Sequence, residues 1–371
     1  MDSLLDACAA GGFNALRVPF SAQLALQLDA LSPPPQYINA SVNPALVGLT
    51  SGQVLDALVA GAKRRGMLVL PDMHTLAIGG PITPLWYDGN WSEADVTQAW
   101  LALVRRYAAE PFVFGADLKN EPGAAAAWGG ANASADWAAA AERLGNALLA
   151  VNPRLLIFVQ GVGATSRYAA WNGGNLEWAA ARPIALRVPG KVVYSPHVYG
   201  PAIYAQPYFA DPAFPANMPA VWTAQWAAVA AAGVGAVIPG EWGGPVGNAA
   251  DEALQAALAS FLAARGLDSS FFWCLNPNSV DTGGLLAADW ATPVASKLAL
   301  TATASPAPTA FVATTFPPPT PPPPLPPPLP PPLPPSPPWP PPPKPPASSA
   351  PAWKRFPGAA LAAALAAIAL D

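Results

Sequence analysis

Short apolar runs and longer amphipathic stretches alternate along roughly the first 300 residues. The runs Ala15–Val18, Met67–Leu70, Phe112–Phe114, Leu155–Val159, Lys191–Tyr194, Ala236–Ile238 and Phe271–Cys274 have strand length. Between them the periodicity turns helical. Residues Gln53–Arg65 put Val54, Leu55, Leu58, Val59 and Ala62 on one face. Ser92-Glu-Ala-Asp95 resembles a capping box and opens a helix that ends near Tyr107, with Pro111 beyond it. Asp136–Val151, Val221–Ala232 and Glu252–Arg265 complete the helical set. Alternation at this spacing predicts an α/β fold, a parallel sheet with helices packed outside it.

Seven strands are legible. Gly11–Pro19 reads as a strand preceded by a helix, so an eight-stranded barrel would lack its first strand before Met1. A missing stave leaves two edges unpaired, and the expectation is that this sequence lacks its natural start. Past Thr315 the pattern stops. Phe316–Pro346 is mostly proline, which cannot bury a core and favours an extended polyproline rod. The expected organisation is a barrel over residues 1–305, a proline-rich linker over 306–350 and an Ala/Leu-rich tail over 351–371. The tail is too short to span a bilayer comfortably. Its small residues and apolar end faintly resemble a lipid-anchor signal, the basis for a cell-wall or membrane-anchor association.

Composition narrows the function. Nearly half of the 50 prolines crowd into Phe316–Pro346, so the upstream segment alone must carry the core. Net charge is −4 with 11% charged residues and no basic tract, which removes electrostatic support for nucleic-acid binding. An uncharged polysaccharide suits this balance. Cys8 and Cys274 read as buried free thiols, with a single disulfide as the alternative, and two histidines without clustered acids give poor support for a metal site. Three Asn-x-Ser tripeptides, at Asn39, Asn90 and Asn132, point weakly to a secretory route, although the first residues are no signal peptide.

Two glutamates carry the candidate chemistry. Glu121, in Asp117-Leu-Lys-Asn-Glu-Pro122, and Glu241, in Ile238-Pro-Gly-Glu-Trp-Gly-Gly244, each follow an apolar run and precede a Pro or Gly break. A carboxylate at the C-terminal tip of a parallel strand occupies the catalytic face of an α/β barrel. A pair of them is the minimum equipment for cutting a glycosidic bond. Arg17, at the end of the first legible strand, is able to hold a carboxylate as an anion through bidentate hydrogen bonds. No Gly-x-Ser-x-Gly signature suggests a serine nucleophile instead.

Six motifs in order, Leu16-Arg-Val-Pro-Phe20, Pro71-Asp-Met-His74, Asp117–Pro122, Tyr194-Ser-Pro-His-Val-Tyr199, Gly240-Glu-Trp-Gly-Gly244 and Trp273-Cys-Leu-Asn-Pro-Asn-Ser279, resemble glycoside hydrolase family 5, nearest its endo-β-1,4-glucanase branch. The resemblance runs from about Gly11 to Leu300. It implies a (β/α)8 TIM barrel, a retaining mechanism and no cofactor. It implies Glu241 as nucleophile and Glu121 as acid/base, with Arg17 and Tyr199 holding Glu241. Asn120 is then placed to bond the sugar 2-hydroxyl, His74 to bind sugar hydroxyls, and His197 to orient the acid/base. Trp273 would form the aromatic floor of the cleavage subsite, with Trp86, Trp171, Trp178 and Trp242 as candidate extensions. Asn276, Asn278 and Asp281 sit on the loop after the last strand; Asn278 is the candidate substrate contact there, and Val280 stands where the family usually has Gly. The expected protein is a secreted monomer acting on β-glucan polysaccharide. Its rivals are a hydrolase of mannan or mixed-linkage glucan, and a non-catalytic glycan-binding wall protein.

Overall fold

The computed structural model describes residues 1–33, 38–165 and 169–306. The polyproline and tail segments, with the rod and anchor readings attached to them, lie outside the described residues. Among the described residues eight strand segments occur: β1 (Ala15–Ser21), β2 (Leu68–Thr75), β3 (Gly115–Asp117), β4 (Leu156–Val159), β5 (Val192–Tyr194), β6 (His197–Val198), β7 (Ala236–Val237) and β8 (Glu241–Trp242). The order β1-β2-β3-β4-β5-β7 is parallel throughout, and β6 pairs with β8 in a second parallel sheet.

These segments are fewer staves than they look. β5 and β6 belong to one stave, interrupted at Pro196; β7 and β8 belong to the next, interrupted at Pro239. Proline has no N–H to give a ladder, so each stave breaks around it, with a gap of two residues in the first and three in the second. The joint is held by Ile238 N–H donating to Tyr194 O at 2.9 Å and Gly240 N–H donating to Pro196 O at 3.0 Å. The seventh apolar run is a stave in outline only. Phe272 bridges Trp242, while Phe271 and Trp273 donate to Pro239 and Trp242, both at 2.9 Å. Among the described residues no strand pairs with the outer edge of β1.

One strand is displaced from its expected place. Phe112–Phe114 makes only a bridge, Val113 to Val69, and the ladder of β3 starts at Gly115. A Cβ on Gly115 would lie 2.9 Å from Leu156 O, so the close approach of the two backbones needs glycine at this point. The helical stretch expected over Val221–Ala232 also divides. Met218–Trp222 and Ala228–Ala231 flank a π-helical turn, Thr223–Ala227.

Four longer helices follow the sequence pattern and carry their own caps. Ser51–Arg64 begins with a capping box from Thr50 and Gln53, Glu93–Arg106 with one from Ser92 and Asp95. Asp136 caps Trp137–Val151, and Asn248 caps Ala249–Ala264. Their apolar faces join one large core that includes the buried rings of Trp86, Trp100, Trp137, Trp222 and Trp226. A smaller cluster, Leu70, Phe158 and Val193 with Phe114, Ile238 and Phe271, brings together strands that are not all neighbours. That is possible only inside the ring, so the barrel interior is packed rather than hollow. Cys8 and Cys274 are buried free thiols, and burial pushes both up to about 12.

Candidate active site

The strand ends deliver charged side chains to one place. β1 brings Arg17, β2 brings Asp72 and His74, β3 brings Asp117, and the turn after it brings Asn120 and Glu121. The short second sheet sets His197 on β6 directly beside Glu241 on β8. Asp72 pairs in register with Pro19 on one side and Asp117 on the other. None of this is solvent-facing material: Asp72, Asp117 and Asn120 are fully buried, and His197, Glu241 and Glu121 nearly so.

Arg17 is the hub. Its Nη1 donates to Glu241 Oε1 at 2.5 Å, its Nε to Asp117 Oδ2 at 2.8 Å and its Nη2 to Asn120 Oδ1 at 2.8 Å. Nη2 also lies 3.0 Å from Asp72 Oδ1. A planar guanidinium with five fixed donors is the side chain able to face three carboxylates and an amide at once. Glu241 receives a second bond at 2.5 Å, from the Tyr199 hydroxyl to Oε2. The nearby acids are unequal. Burial works to raise Asp72, but the charges of Arg17 and His74 outweigh it and hold the carboxyl below its ordinary value. Burial lifts Asp117 to about 7, with Arg17 opposing and the Asp72 charge adding to the rise.

Glu121 has a different environment. Trp171 Nε1 donates to its Oε1 at 2.5 Å, and His197 Nδ1 lies 3.1 Å from the same oxygen. Burial pushes this carboxyl up to about 7, although the Trp171 bond and the charges of His74, Lys119 and Arg17 pull it down. Its backbone adopts φ +54, the left-handed region that non-glycine residues seldom occupy. Conformations of this kind persist where the surroundings over-determine them, and they cluster at functional sites. Burial drives His197 down to about 3, so the ring is neutral over the physiological range. Its Nδ1 also lies 3.4 Å from Glu241 Oε2, between the two carboxylates.

The other expected residues divide. His74 stacks on Trp273 with centroids 5.5 Å apart and planes 14° apart. Both its ring nitrogens face protein, Nδ1 at 2.6 Å from Asp72 Oδ2 and Nε2 at 3.3 Å from Asn120 Nδ2. Asn278 is exposed and bonds to Asn276; among the described residues no hydrogen bond ties it to the carboxylates. Of the tryptophans offered as platform extensions, Trp86 and Trp242 are core residues, Trp178 is surface, and Trp171 touches Glu121. Asp72, Asp117, Lys119 and Gln160 were given no role by the sequence, though the first three stand inside quoted motifs. An acid or a lysine within an apolar strand end was the available signal.

Glu121, His197 and Glu241 each place one possible ligand atom within 4.8 Å of the others, a cluster invisible in the linear sequence. These atoms already face Trp171, Tyr199 and Arg17, and a guanidinium at 2.5 Å from Glu241 opposes a cation. Two buried carboxyls at that separation, one raised and one held by an arginine, make the equipment of a glycosidase.

Known proteins place the chain more narrowly. Residues 1–279 match the family model Cellulase (glycosyl hydrolase family 5), and the chain belongs to that family. It is 44% identical over 304 residues to an endoglucanase of Paenibacillus polymyxa, covering 79% of this chain and 73% of that protein. It is 43% identical to the major extracellular endoglucanase of Xanthomonas campestris pv. campestris, covering 78% of this chain and 59% of that protein. The solved catalytic domain of the Xanthomonas campestris enzyme superposes with a TM-score of 0.77 at 40% identity, covering 82% of this chain and 88% of that one. A hyperthermophilic endocellulase from Pyrococcus horikoshii gives 0.76 at 35% identity, covering 81% and 85%. The fold is therefore a (β/α)8 barrel, and the protein is a glycoside hydrolase of the endoglucanase type.

Proposed function

We propose that the chain cleaves internal β-1,4 linkages of glucan with retention of anomeric configuration, Glu241 acting as nucleophile and Glu121 as acid and then base. The observation that carries this reading is the contrast between the two carboxyls, whose oxygens come within 4.8 Å. Retaining enzymes hold their carboxyl groups about 5–5.5 Å apart, too close for a water to work between them.

The contrast supports these roles. Glu241 is aimed by Arg17 and Tyr199, each donating to one of its oxygens at 2.5 Å. One of its oxygens attacks the anomeric carbon as Glu121 gives its proton to the departing glycosidic oxygen. The sugar is then an ester of Glu241. Glu121, now ionised, takes a proton from water; the water oxygen attacks the same carbon, and Glu241 leaves with its electron pair. A group asked to give and then take a proton works best with a pKa near the operating pH, and burial supplies that by raising Glu121 to about 7. His197 stays neutral between the two and adds no charge that would favour either. Secretion is part of this reading, on the name of the Xanthomonas campestris relative.

The test is release of reducing sugar from soluble β-1,4-glucan, mixed-linkage glucan and mannan, with Glu241→Gln as the blank. The expected result is release from β-1,4-glucan fastest, abolished in the blank. Faster release from mannan would overturn the linkage. Tight glucan binding without release would leave a binding protein rather than an enzyme.

A further inference from the structure

The peptide group between Asn120 and Glu121 is held at both ends by side chains that no step of the reaction uses. Its N–H donates to Gln160 Oε1 at 2.7 Å. Its carbonyl oxygen accepts from the Lys119 ammonium. Both side chains are fully buried. This is the peptide that leads into the left-handed backbone of Glu121, at φ +54. Rotation of that peptide would swing the Glu121 carboxyl away from Trp171 and His197.

The two contacts are specific in chemistry. A backbone N–H only donates, so the Gln160 amide must turn its oxygen toward Glu121. Its nitrogen then faces Asp117, where Nε2 lies 3.0 Å from both carboxylate oxygens. Asp117 in turn accepts from Arg17, which holds Glu241. The amide is fixed from behind as well. A Cβ on Gly173, at φ +77, would stand 2.6 Å from Gln160 Oε1. Lys119 is expensive to bury, since an ammonium taken out of water is strongly disfavoured. Its bond to the Asn120 carbonyl gives one of its three donors a partner, and the carboxylates of Asp72, Glu121 and Asp117 offset part of the cost.

We propose that Gln160 and Lys119 are positioning residues that clamp the Asn120–Glu121 peptide and so keep the acid/base carboxyl in register with Glu241. The proposal rests on Glu121 being the acid/base. A clamp of this kind acts on proton donation, while the direct bonds from Arg17 and Tyr199 to Glu241 stay in place. Its loss therefore shows on substrates whose leaving group needs a proton and not on those that leave unaided.

The test compares Gln160→Met and Lys119→Met on soluble glucan and on 2,4-dinitrophenyl cellobioside, whose phenolate departs without protonation. Expected is a fall in kcat/KM of about 100-fold on glucan, the scale of an acid misplaced by an ångström. On the activated glycoside kcat/KM should stay within about threefold. Lys119→Arg, which keeps a donor for the carbonyl, should recover most of the glucan activity. Parallel losses on both substrates, or no loss on either, would overturn the clamp. Glu121→Ala run beside them separates the two levels. A leaving-group split in that variant without one in the others sinks the clamp alone; no split there sinks the acid/base assignment beneath it. The two variants remove opposite ends of the clamp, so failure of either one to fold leaves the other, together with Lys119→Arg, as the test.

Discussion

At the scale of single residues the chemistry turns on how one carboxyl is lifted and another is held. Burial is the larger influence on Glu121, and the Trp171 indole works against it. The sign of a pH effect follows. As the proposed acid, Glu121 must be protonated to start the reaction, so kcat/KM on glucan should hold below about 7 and fall roughly tenfold per pH unit above it. Trp171→Phe removes a bond to the ionised form, which raises the carboxyl further and should carry the alkaline limb to higher pH. A pH profile whose limb moves lower in that variant would contradict this cause. Arg17, Glu121 and Glu241 were legible because each stands in a short motif whose residue types have few other uses at a strand end. Asp72, Asp117, Lys119 and Gln160 were not. Their work is defined by what they face across the barrel mouth, and Gln160 follows an apolar strand with nothing in the sequence to connect it to Glu121.

At the scale of elements the informative departure is the pair of broken staves. Pro196 and Pro239 end β5 and β7 early, and the chain resumes as the β6–β8 pair that sets His197 beside Glu241. The sequence showed both prolines, but which strand they interrupted depended on neighbours it could not place. The same limit applies to β3, where the apolar run at Phe112–Phe114 advertised a strand and Gly115 allowed one. Helices were read more closely, because a cap and a 3.6-residue period are local features. The joint between β7 and β8 is tight: a Cβ on Gly240 would stand 2.4 Å from Ser195 Oγ and 3.1 Å from His197 Nε2. Gly240→Ala should therefore lower stability by about 1–3 kcal/mol through overpacking and lower activity by displacing His197. Urea denaturation and glucan hydrolysis measure both. Gly89→Ala, at an exposed glycine with nothing within 4 Å of its added carbon, is the control that should change neither. A Gly240→Ala protein as stable and active as that control would mean the joint is slack.

At the scale of the whole molecule, a buried charge network joins the two ends of the strand order. The hydrogen-bonded ladder runs from β1 to β7, and Arg17 on β1 reaches Glu241 on β8 at 2.5 Å. Three carboxylates around one guanidinium would be costly if any were left unpaired, so the network and the site are the same structure. That is why the barrel class and the paired glutamates were readable together from six separated motifs, whereas the lattice of contacts between them was not. Double displacement by Glu121 and Glu241, as proposed, fixes the stereochemistry of the first-formed product. Proton NMR of cellooligosaccharide cleavage, followed from the first minutes, should show the β-anomer appear first and the α-anomer arise only by mutarotation. Initial release of the α-anomer would mean single displacement by water, and the assignment of Glu241 as nucleophile would be wrong.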